Sequence, residues 1–443
     1  MSKHKFIDLF AGCGGFSLGL SLAGLEGQFA IERDAMAFKT FEANFLANRD
    51  VPIAKFAWPR WLGRQAWSID ELLDTHHARL ADLSSEVDVL AGGPPCQGFS
   101  FAGKRQASDP RNQLFEKYVQ VVDAIKPRAL VLENVPGMRV AHSTQDGPGK
   151  GRTKAGESYY DKLREKLDAI GYEVLGRVID ASRYGVPQKR SRLIVLGLDK
   201  QVAARLPGGI ERAFELLEEQ RVAQLLELGL GDTITAREAI SDLHADGAAR
   251  KTCVDPDSSG PFEEVVYRGP STPYQRLMHA GCSDDAMDSM RLARHTTKVR
   301  DRFSAIQDEC RRGVLMDKAS REKHGLRKHR IHPMSPDQPA PTITTIPDDV
   351  LHYVEPRILT VRESARLQGF PDWFHFRGNF TTGGERRKKE CPRYTQVGNA
   401  VPPYLGRAIG LAMVAALDEA IRSTGPVSML AMPKPGQLEF ELD

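Results

Sequence analysis

The stretch KFIDLFAGCGGFSLGLSLAGLEGQFAIERDAMAFKTFEANF, residues 5–45, decides the fold because short apolar runs alternate in it with segments of helical pattern. Residues 5–10 and 27–33 have the apolar character of buried strands, whereas residues 14–24 and 35–45 have the spacing of amphipathic helices. Strands that alternate with helices in this way are typical of a parallel sheet covered by helices.

The same alternation continues to about residue 200. We expect further strands at 87–93, 129–135, 173–180 and 191–198, and further helices at 112–125 and 157–170. The sequence therefore predicts an α/β fold with a Rossmann-like, doubly wound, mostly parallel sheet. Ligands of such sheets bind at the edge where the strands end.

Beyond residue 200 the alternation stops. Residues 211–229 indicate a long acidic helix, and residues 231–355 mix Pro, Gly and short helical pieces without regular order. Residues 403–421 form an apolar helix that must pack against another element, because a lone helix cannot bury its apolar face. We therefore expect a first domain built from 1–199 plus 395–443, and a smaller irregular domain at 200–394.

The composition, with 41% hydrophobic and 27% charged residues, is that of a soluble globular protein. Without a run of about 18 apolar residues, the sequence predicts no membrane span. The six cysteines are scattered without a C-x-x-C pair, which argues against disulfides or bound metal and suits a reducing cytoplasm. Cys253, Cys282 and Cys310, with His279 and His295, remain an alternative zinc set.

Basic residues cluster in two places although the net charge is only +3. Residues 291–330 hold 13 Lys or Arg against 5 Asp or Glu, and ERRKKECPR at 385–393 adds a second cluster. Such clusters favour a polyanionic partner, and a solvated helix face is the open alternative.

A glycine-rich turn joins the first strand to the first helix. Gly12, Gly14 and Gly15 allow a ligand to approach the backbone, but Ser17 stands where the dinucleotide fingerprint G-x-G-x-x-G needs glycine. Glu32, at the end of the second strand, is placed to accept both hydroxyls of a ribose. The turn therefore indicates a cofactor that contains adenosine, with a purely structural turn as the alternative.

A lone thiol, Cys96, follows Gly-Gly-Pro-Pro at the end of the strand at 87–93. A thiolate is a strong nucleophile, although a buried Cys is often only a small apolar residue. Full ionisation at pH 7 gains only about 30-fold, because the ordinary thiol pKa is near 8.5. Partners that activate the electrophile must therefore stand on neighbouring strand ends.

Three charged residues meet that requirement. Glu133 ends the strand at 129–135, where a carboxyl group can hydrogen-bond a ring nitrogen of a substrate. Arg190 and Arg192 begin a strand, and residues two apart in a strand point to the same face. Each alone has the alternative of an ordinary salt bridge, but together with Cys96 they predict a catalytic site.

Six blocks of the sequence occur in the order found in DNA (cytosine-5)-methyltransferases, a family that the chain resembles over 1–199 and about 330–425. The blocks are DLFAGCGG, GGPPCQGFS, ENV, PQKRSR, LTVRESARLQGFPDWF and QVGNAVPP. The resemblance implies the class I fold of S-adenosylmethionine-dependent methyltransferases, and transfer of the methyl group of that cofactor to C5 of cytosine.

Catalytic roles carry over from the resemblance. Cys96 resembles the nucleophile that adds to C6 of the base, and Glu133 the residue that contacts N3 and the exocyclic amine. Arg192 resembles the arginine near O2, with Arg190 supporting the catalytic loop or the DNA backbone. The loop after Cys96 resembles the one that closes over a flipped cytosine, with Gln97 and Ser100 facing DNA.

Cofactor contacts carry over to Phe10, Gly12, Gly14 and Glu32, with Asn399 near the methionine end. One departure from the family pattern concerns the acidic residue expected to receive the adenine amine. The segment before residue 87 is longer than expected and contains tryptophans, and Asp70 is its candidate for that role.

The resemblance also implies double-stranded DNA as partner, with site choice in the irregular domain and phosphate contacts in 291–330. We expect a monomeric bacterial or phage enzyme of the restriction–modification type, in the cytoplasm on the nucleoid. Its functional partner would be a cognate restriction endonuclease that acts on the same site.

Other functions were weighed against this one. Amino-group methyltransferases carry an aromatic residue where Cys96 stands, which argues against them. An RNA cytosine-5-methyltransferase and a catalytically silent DNA-binding regulator stay open. The intact set of Cys96, Glu133 and Arg192 speaks against the regulator.

Overall fold

The computed structural model describes residues 4–49, 51–95, 114–140, 158–258, 260–382, 386 and 389–423. Six strands form the main sheet in the order β2-β1-β3-β4-β6-β5. They are β1 (Lys5–Leu9), β2 (Glu26–Ile31), β3 (Val89–Gly92), β4 (Ala129–Asn134), β5 (Tyr172–Asp180) and β6 (Ser191–Asp199).

Five of these strands run in one direction. β1 to β4 are mutually parallel, and β6 is antiparallel to both β4 and β5, so that β5 runs with the other four. The predicted mostly parallel sheet is therefore confirmed. The reversal of β6 was not predicted, and it brings the first residues of β6 to the edge where β1 to β4 end.

Seven helices accompany the first two hundred or so residues, and the predicted ones lie where the apolar spacing placed them. They are α1 (Gly15–Leu22), α2 (Ala35–Phe45), α3 (Ile69–Asp82), α4 (Leu114–Ile125), α5 (Tyr159–Ala169), α6 (Lys200–Arg205) and α7 (Gly209–Glu227). Side-chain caps fix where several begin: Asp34 accepts the first N–H groups of α2, and Ser68 forms a capping box with Glu71 at α3.

The remaining elements are short and less regular. They are α8 (Ala236–Ile240), β7 (Arg250–Thr252), β8 (Glu263–Val265), α9 (Pro273–His279), α10 (Thr297–Glu309), α11 (Lys318–Lys323), β9 (His332–Pro333), β10 (Val350–Leu351), α12 (Val361–Gln368), α13 (Arg393–Asn399) and α14 (Pro403–Arg422). β7 pairs with β8 and β9 with β10, which gives two separate two-stranded sheets.

Helix α14 packs against α1 and α7, and its apolar side chains lie in the main core, so the predicted burial of this helix is confirmed. The two backbones come very close: a methyl group at Gly19 would lie 2.4 Å from the Pro403 carbonyl oxygen. The stretch Arg393–Arg422 is long and apolar enough to cross a membrane, but 78% of its apolar window is buried, as in the core helix of a folded protein.

Two buried arginines anchor the irregular stretch 231–355 to the chain that follows it. Arg366 of α12 lies 3.1 Å from Asp242, and Arg393 of α13 lies 2.6 Å from Asp255. Residues of the main apolar core come from both predicted domains, including Ile234 and Met278. The division at 200 and 394 stays a prediction.

Gly19→Ala is expected to lower the free energy of unfolding by about 1–3 kcal/mol, because the added methyl group forces α1 away from α14. Denaturant unfolding would measure the change. Gly63→Ala is the control, since the nearest atom to its added methyl group is 3.7 Å away. Equal stability of the two variants would show that the helices separate without cost.

Candidate active site

The ends of β1 to β4 and the start of β6 meet at one edge of the main sheet. This edge carries most of the residues singled out from the sequence. Cys96, Gln97 and Ser100 follow it directly, but they lie outside the described residues, so their roles stay predictions.

An ion pair between Glu133 and Arg192 lies at this edge. The Nε atom of Arg192 is 2.8 Å from Oε1 of Glu133, and both side chains are largely buried. The pair joins the end of β4 to the start of β6. The sequence predicted that both residues belong to one catalytic site, but it did not predict the ion pair between them. A carboxylate and a guanidinium held in this way are fixed in position before any substrate binds.

The chain that leads to Cys96 passes beside this pair. A methyl group placed on Gly93 would lie 3.6 Å from Oε2 of Glu133. The buried Asn134 side chain donates a hydrogen bond of 3.1 Å to the Pro94 carbonyl, while its own oxygen accepts the Val135 N–H at 2.8 Å. Asn134 is thus a positioning residue that ties the Gly-Gly-Pro-Pro turn to β4.

No role was predicted for Asn134 from the sequence. An amide directly after Glu133 at a strand end was the available signal, but its partner is a main-chain carbonyl in a distant turn. Such a contact requires the register of β3 against β4, which the sequence alone does not supply.

The glycine-rich turn has the backbone that glycine permits, and it leaves open space at Gly12. Gly12 and Gly14 have φ of +57° and +96°, and no atom lies within 4 Å of a methyl group placed on Gly12. Phe10, at the start of the turn, also has a positive φ of +62°. A ligand can therefore reach the backbone at this turn.

Glu32 lies beside the turn, where it is held by main-chain donors. Its Oε2 accepts the Gly12 N–H at 3.0 Å, and its Oε1 accepts the Asp34 N–H at 2.7 Å. Desolvation raises the pKa of this carboxyl group above its ordinary value, and the two N–H donors oppose that rise. Each carboxylate oxygen keeps a further lone pair, so the group can still accept two hydroxyls.

The segment that carries Asn399 packs against the same turn. The Cys13 thiol lies 3.6 Å from the Gln396 carbonyl oxygen, and a methyl group on Gly15 would lie 2.4 Å from the Val401 carbonyl oxygen. Asn399 itself is exposed at the end of α13. The structure thus brings Phe10, the glycines, Glu32 and the Asn399 segment together.

Asp70 has a different environment. It lies exposed in the first turn of α3, and its carboxylate is 3.1 Å from the ammonium group of Lys117 on α4. In the segment just before α3, the main-chain N–H of Trp67 donates to the Glu32 carbonyl at 2.9 Å. The role of Asp70 toward adenine stays a prediction.

Arg190 is buried, whereas the sequence predicted that its side chain and that of Arg192 face the same site. Its guanidinium donates to the carbonyls of Ile343 at 3.2 Å, and of Gly398 and Ala400 at 3.1 Å each. The two arginines therefore have different partners. Arg190 positions the chain on both sides of Asn399, and its support of the catalytic loop or the DNA backbone stays a prediction.

A buried carboxyl group, that of Asp8, lies under the turn in β1. Ser17 of α1 donates its hydroxyl to Asp8 at 2.6 Å. Burial raises the pKa of Asp8 to about 7, against the opposing effect of the Ser17 bonds.

The alternative zinc set of cysteines and histidines is not assembled. Among the described residues, one trio of acidic and histidine side chains, His352, Glu355 and Glu363, has ligand atoms close together. Arg357 bonds both carboxylates of that trio, and the Nδ1 atom of His352 accepts main-chain N–H groups. A structural role accounts for this trio without a metal.

Comparison with known proteins agrees with the geometry. Residues 4–415 match the family model described as C-5 cytosine-specific DNA methylase. The chain is 30% identical over 415 residues to the type II methyltransferase M.DdeI of Desulfomicrobium norvegicum, covering 91% of this chain and 87% of that relative. It is 31% identical over 417 residues to M1.HphI of Haemophilus parahaemolyticus, covering 92% and 86% respectively.

The fold has a counterpart among solved structures. A crystal structure of a prophage-encoded protein from E. coli, described as a DNA modification methyltransferase, superposes with a TM-score of 0.61 at 24% identity. The match covers 94% of this chain and 100% of that chain. At this identity the likeness concerns the fold, which is that of class I methyltransferases.

Asp8→Asn is expected to remove the contribution of Asp8 to the pH dependence of the free energy of unfolding. The folded pKa of about 7 lies above the unfolded value of 3.8, so the folded state gains stability from protonated Asp8 at low pH and loses it as pH rises through 7. The loss in the native chain is on the order of 4 kcal/mol between pH 4 and pH 8. Urea unfolding at pH 5, 6, 7 and 8 would measure it. Asp74→Asn, on an exposed face of α3, is the control and should keep the native pH profile.

Arg190→Met is expected to lower the free energy of unfolding by about 3 kcal/mol or more, because three buried carbonyls lose their donor. Arg183→Met removes an exposed arginine paired with Glu218 and should cost less than about 1 kcal/mol. Thermal unfolding compares the two variants. Native stability in Arg190→Met, with weakened DNA binding, would instead assign Arg190 to the DNA backbone.

Proposed function

Because the chain belongs to the C-5 cytosine-specific DNA methylase family, we propose that it methylates C5 of a cytosine flipped out of duplex DNA, through a covalent bond to Cys96. The Glu133–Arg192 pair, beside the chain that leads into Cys96, is the observation that carries this proposal. A fixed carboxylate and a fixed cation at this edge of the sheet support the proposal that a base binds close to the chain that leads into Cys96.

The proposed reaction follows from the poor nucleophilicity of cytosine C5. The Cys96 thiolate adds to C6, and the electron pair displaced from the 5,6 double bond makes C5 nucleophilic. The carboxyl group of Glu133 accepts from the exocyclic amine and, in its protonated form, donates to N3, while Arg192 donates to O2, so the negative charge that develops on the ring is stabilised. After methyl transfer, a water molecule accepts the C5 proton, and the electron pair of the C5–H bond restores the 5,6 double bond as the thiolate is eliminated and the free enzyme returns.

S-adenosylmethionine supplies the electrophilic methyl group in this proposal. Glu32 would accept the ribose hydroxyls with its remaining lone pairs, and the open backbone at Gly12 would admit the cofactor. Phe10, Gly14 and Asn399 would complete the site, with Asn399 toward the methionine end. The residues present fit an adenosine cofactor without pyrophosphate.

The biological setting is inferred from the relatives, which are type II methyltransferases. We expect double-stranded DNA as substrate and a cognate restriction endonuclease for the same site, with the enzyme acting as a cytoplasmic monomer on the nucleoid. The irregular domain, 200–394, would choose the site.

Cys96→Ser is expected to abolish methylation. The native chain and the variant would be expressed in a host without cytosine methylation, and 5-methylcytosine mapped genome-wide. The native chain should methylate one short sequence context, and Cys96→Ser none. Cys282→Ser is the control. It removes a partly buried thiol that is far from Cys96 in the sequence, and it should leave the map of 5-methylcytosine unchanged.

The same experiment separates the other candidates. A blank map from folded native protein, with methylated cytosine in transfer RNA, would assign the activity to RNA. A blank map with sequence-specific DNA binding that is indifferent to Cys96→Ser would indicate a silent regulator. Methylation that persists in Cys96→Ser would overturn the covalent mechanism alone.

A further inference from the structure

The basic stretch of the irregular domain folds around a small apolar core of its own. We call residues 293–331 the basic module. Its core is separate from the main core and consists of Phe303, Ile306, Met316 and Ile331, together with Leu351 and Ile358 from the chain that follows. The module is therefore a defined surface rather than a solvated tail.

Most exposed cations of this module have no acidic partner within the described parts of the chain. The six that are exposed and take part in no ion pair there are Arg294, Lys298, Arg300, Arg311, Arg327 and Arg330. Exposed arginines elsewhere are commonly neutralised, as Arg177 is by Glu211 and Arg183 by Glu218. A surface with such an excess of unpaired cations is complementary to a polyanion.

Another exposed element of the irregular domain, the β7–β8 ribbon, differs in this respect. Its Arg250 lies 3.3 Å from Glu263, and its Lys251 lies 3.4 Å from Glu264. These cations are already paired across the strands. The contrast favours the basic module as the surface that meets DNA phosphates.

The module is connected to the candidate active site by a short, bonded segment. Ala340 donates to the Pro187 carbonyl at 2.9 Å, and Lys189 donates to the Ala340 carbonyl at 2.8 Å. Those contacts lie directly before β6, whose Arg192 pairs with Glu133. A duplex held on the module is therefore held by a part of the chain that is fixed to the sheet edge.

Two exposed aliphatic side chains lie within the basic module. Val314 and Leu315 are 44% and 45% exposed, and in the sequence they follow Arg311, Arg312 and Gly313. Their backbone is rigidly held, because Gly313 donates to the Pro333 carbonyl at 2.7 Å and Met316 to the Ile331 carbonyl at 3.0 Å. Arg312 adds bonds to the carbonyls of Gln307 and Tyr353.

We propose that Val314 and Leu315 form an apolar wedge that enters the DNA duplex while the surrounding cations hold its phosphates. The proposal rests on the proposed function, since a flipped cytosine leaves base faces exposed and unstacked. Proteins that deform DNA insert aliphatic side chains between base steps, and a rigid backbone with flanking cations is what that insertion requires. The wedge thereby favours the opened duplex on which methylation depends.

The test compares two double variants that each remove a pair of exposed aliphatic side chains. Val314→Ser with Leu315→Ser alters the wedge, and Val222→Ser with Leu226→Ser alters α7, where those residues are 45% and 78% exposed. The DNA is a duplex that contains the mapped methylation site, with 2-aminopurine in place of the target cytosine. Fluorescence of the probe reports flipping, and titrations at several salt concentrations report affinity.

The wedge variant is expected to bind the site about tenfold more weakly and to lose most of the fluorescence increase. The slope of log affinity against log salt should stay unchanged, because no cation has been removed. The α7 variant should match the native chain in both measurements.

Three outcomes would overturn the wedge. The first is native fluorescence and affinity in the wedge variant while the native chain methylates DNA. The second is a changed salt slope with normal flipping, which would mean a general disturbance of the basic surface. The third is a native chain that sediments as a dimer and a wedge variant that does not, which would assign the two side chains to a second copy. A native chain that methylates no DNA would instead overturn the proposed function.

Discussion

One buried guanidinium group, that of Arg190, joins parts of the chain that are far apart in sequence. Its three carbonyl partners lie 153, 208 and 210 residues further along, in the segment at Ile343 and on both sides of Asn399. The start of β6, the link to the basic module and the loop beside the glycine turn therefore share one set of hydrogen bonds. The geometry of the candidate site depends on this contact although Arg190 does not face the sheet edge as Arg192 does.

A second constraint comes from the charged helix α12. Its sequence, VRESARLQ, has the composition of a surface helix, yet every one of its residues is buried. Arg362 and Arg366 are matched by Asp288 and Asp242 in the irregular region. Removing one member of such a buried pair leaves an uncompensated charge in the core. These contacts therefore fix the position of residues 242–288 against α12.

The sequence predicted the parts of the molecule that local patterns determine. The alternation of apolar runs placed β1 to β6 and α1, α2, α4 and α5, and the amphipathic or apolar character of their own segments placed α7 and α14. The glycine turn and Glu32 were predicted to serve one cofactor site. The reversal of β6 was not predictable, because strand direction depends on how β5 and β6 pair. The bonds of Asn134 and Arg190 were missed for a related reason: their partners are main-chain carbonyls, which every residue carries.

The position of one further segment was not predicted. A tryptophan-containing stretch lies along the outer side of β2, held there by Ala57 and Trp67, and the sequence indicated only that it is longer than the family pattern. Nothing in its composition shows which strand it covers, since the bonds again go to main-chain carbonyls of Gly27 and Glu32.

The close packing of α1 against α14 has a consequence for synthesis on the ribosome. Helix α1 leaves the exit tunnel well before its partner α14, and their close contact leaves little room for a side chain at Gly19. The apolar face of α1 must therefore stay uncovered until α14 has been translated. Chaperones that shield such faces would act during that interval, and a message truncated before residue 403 would yield a product that cannot close its core.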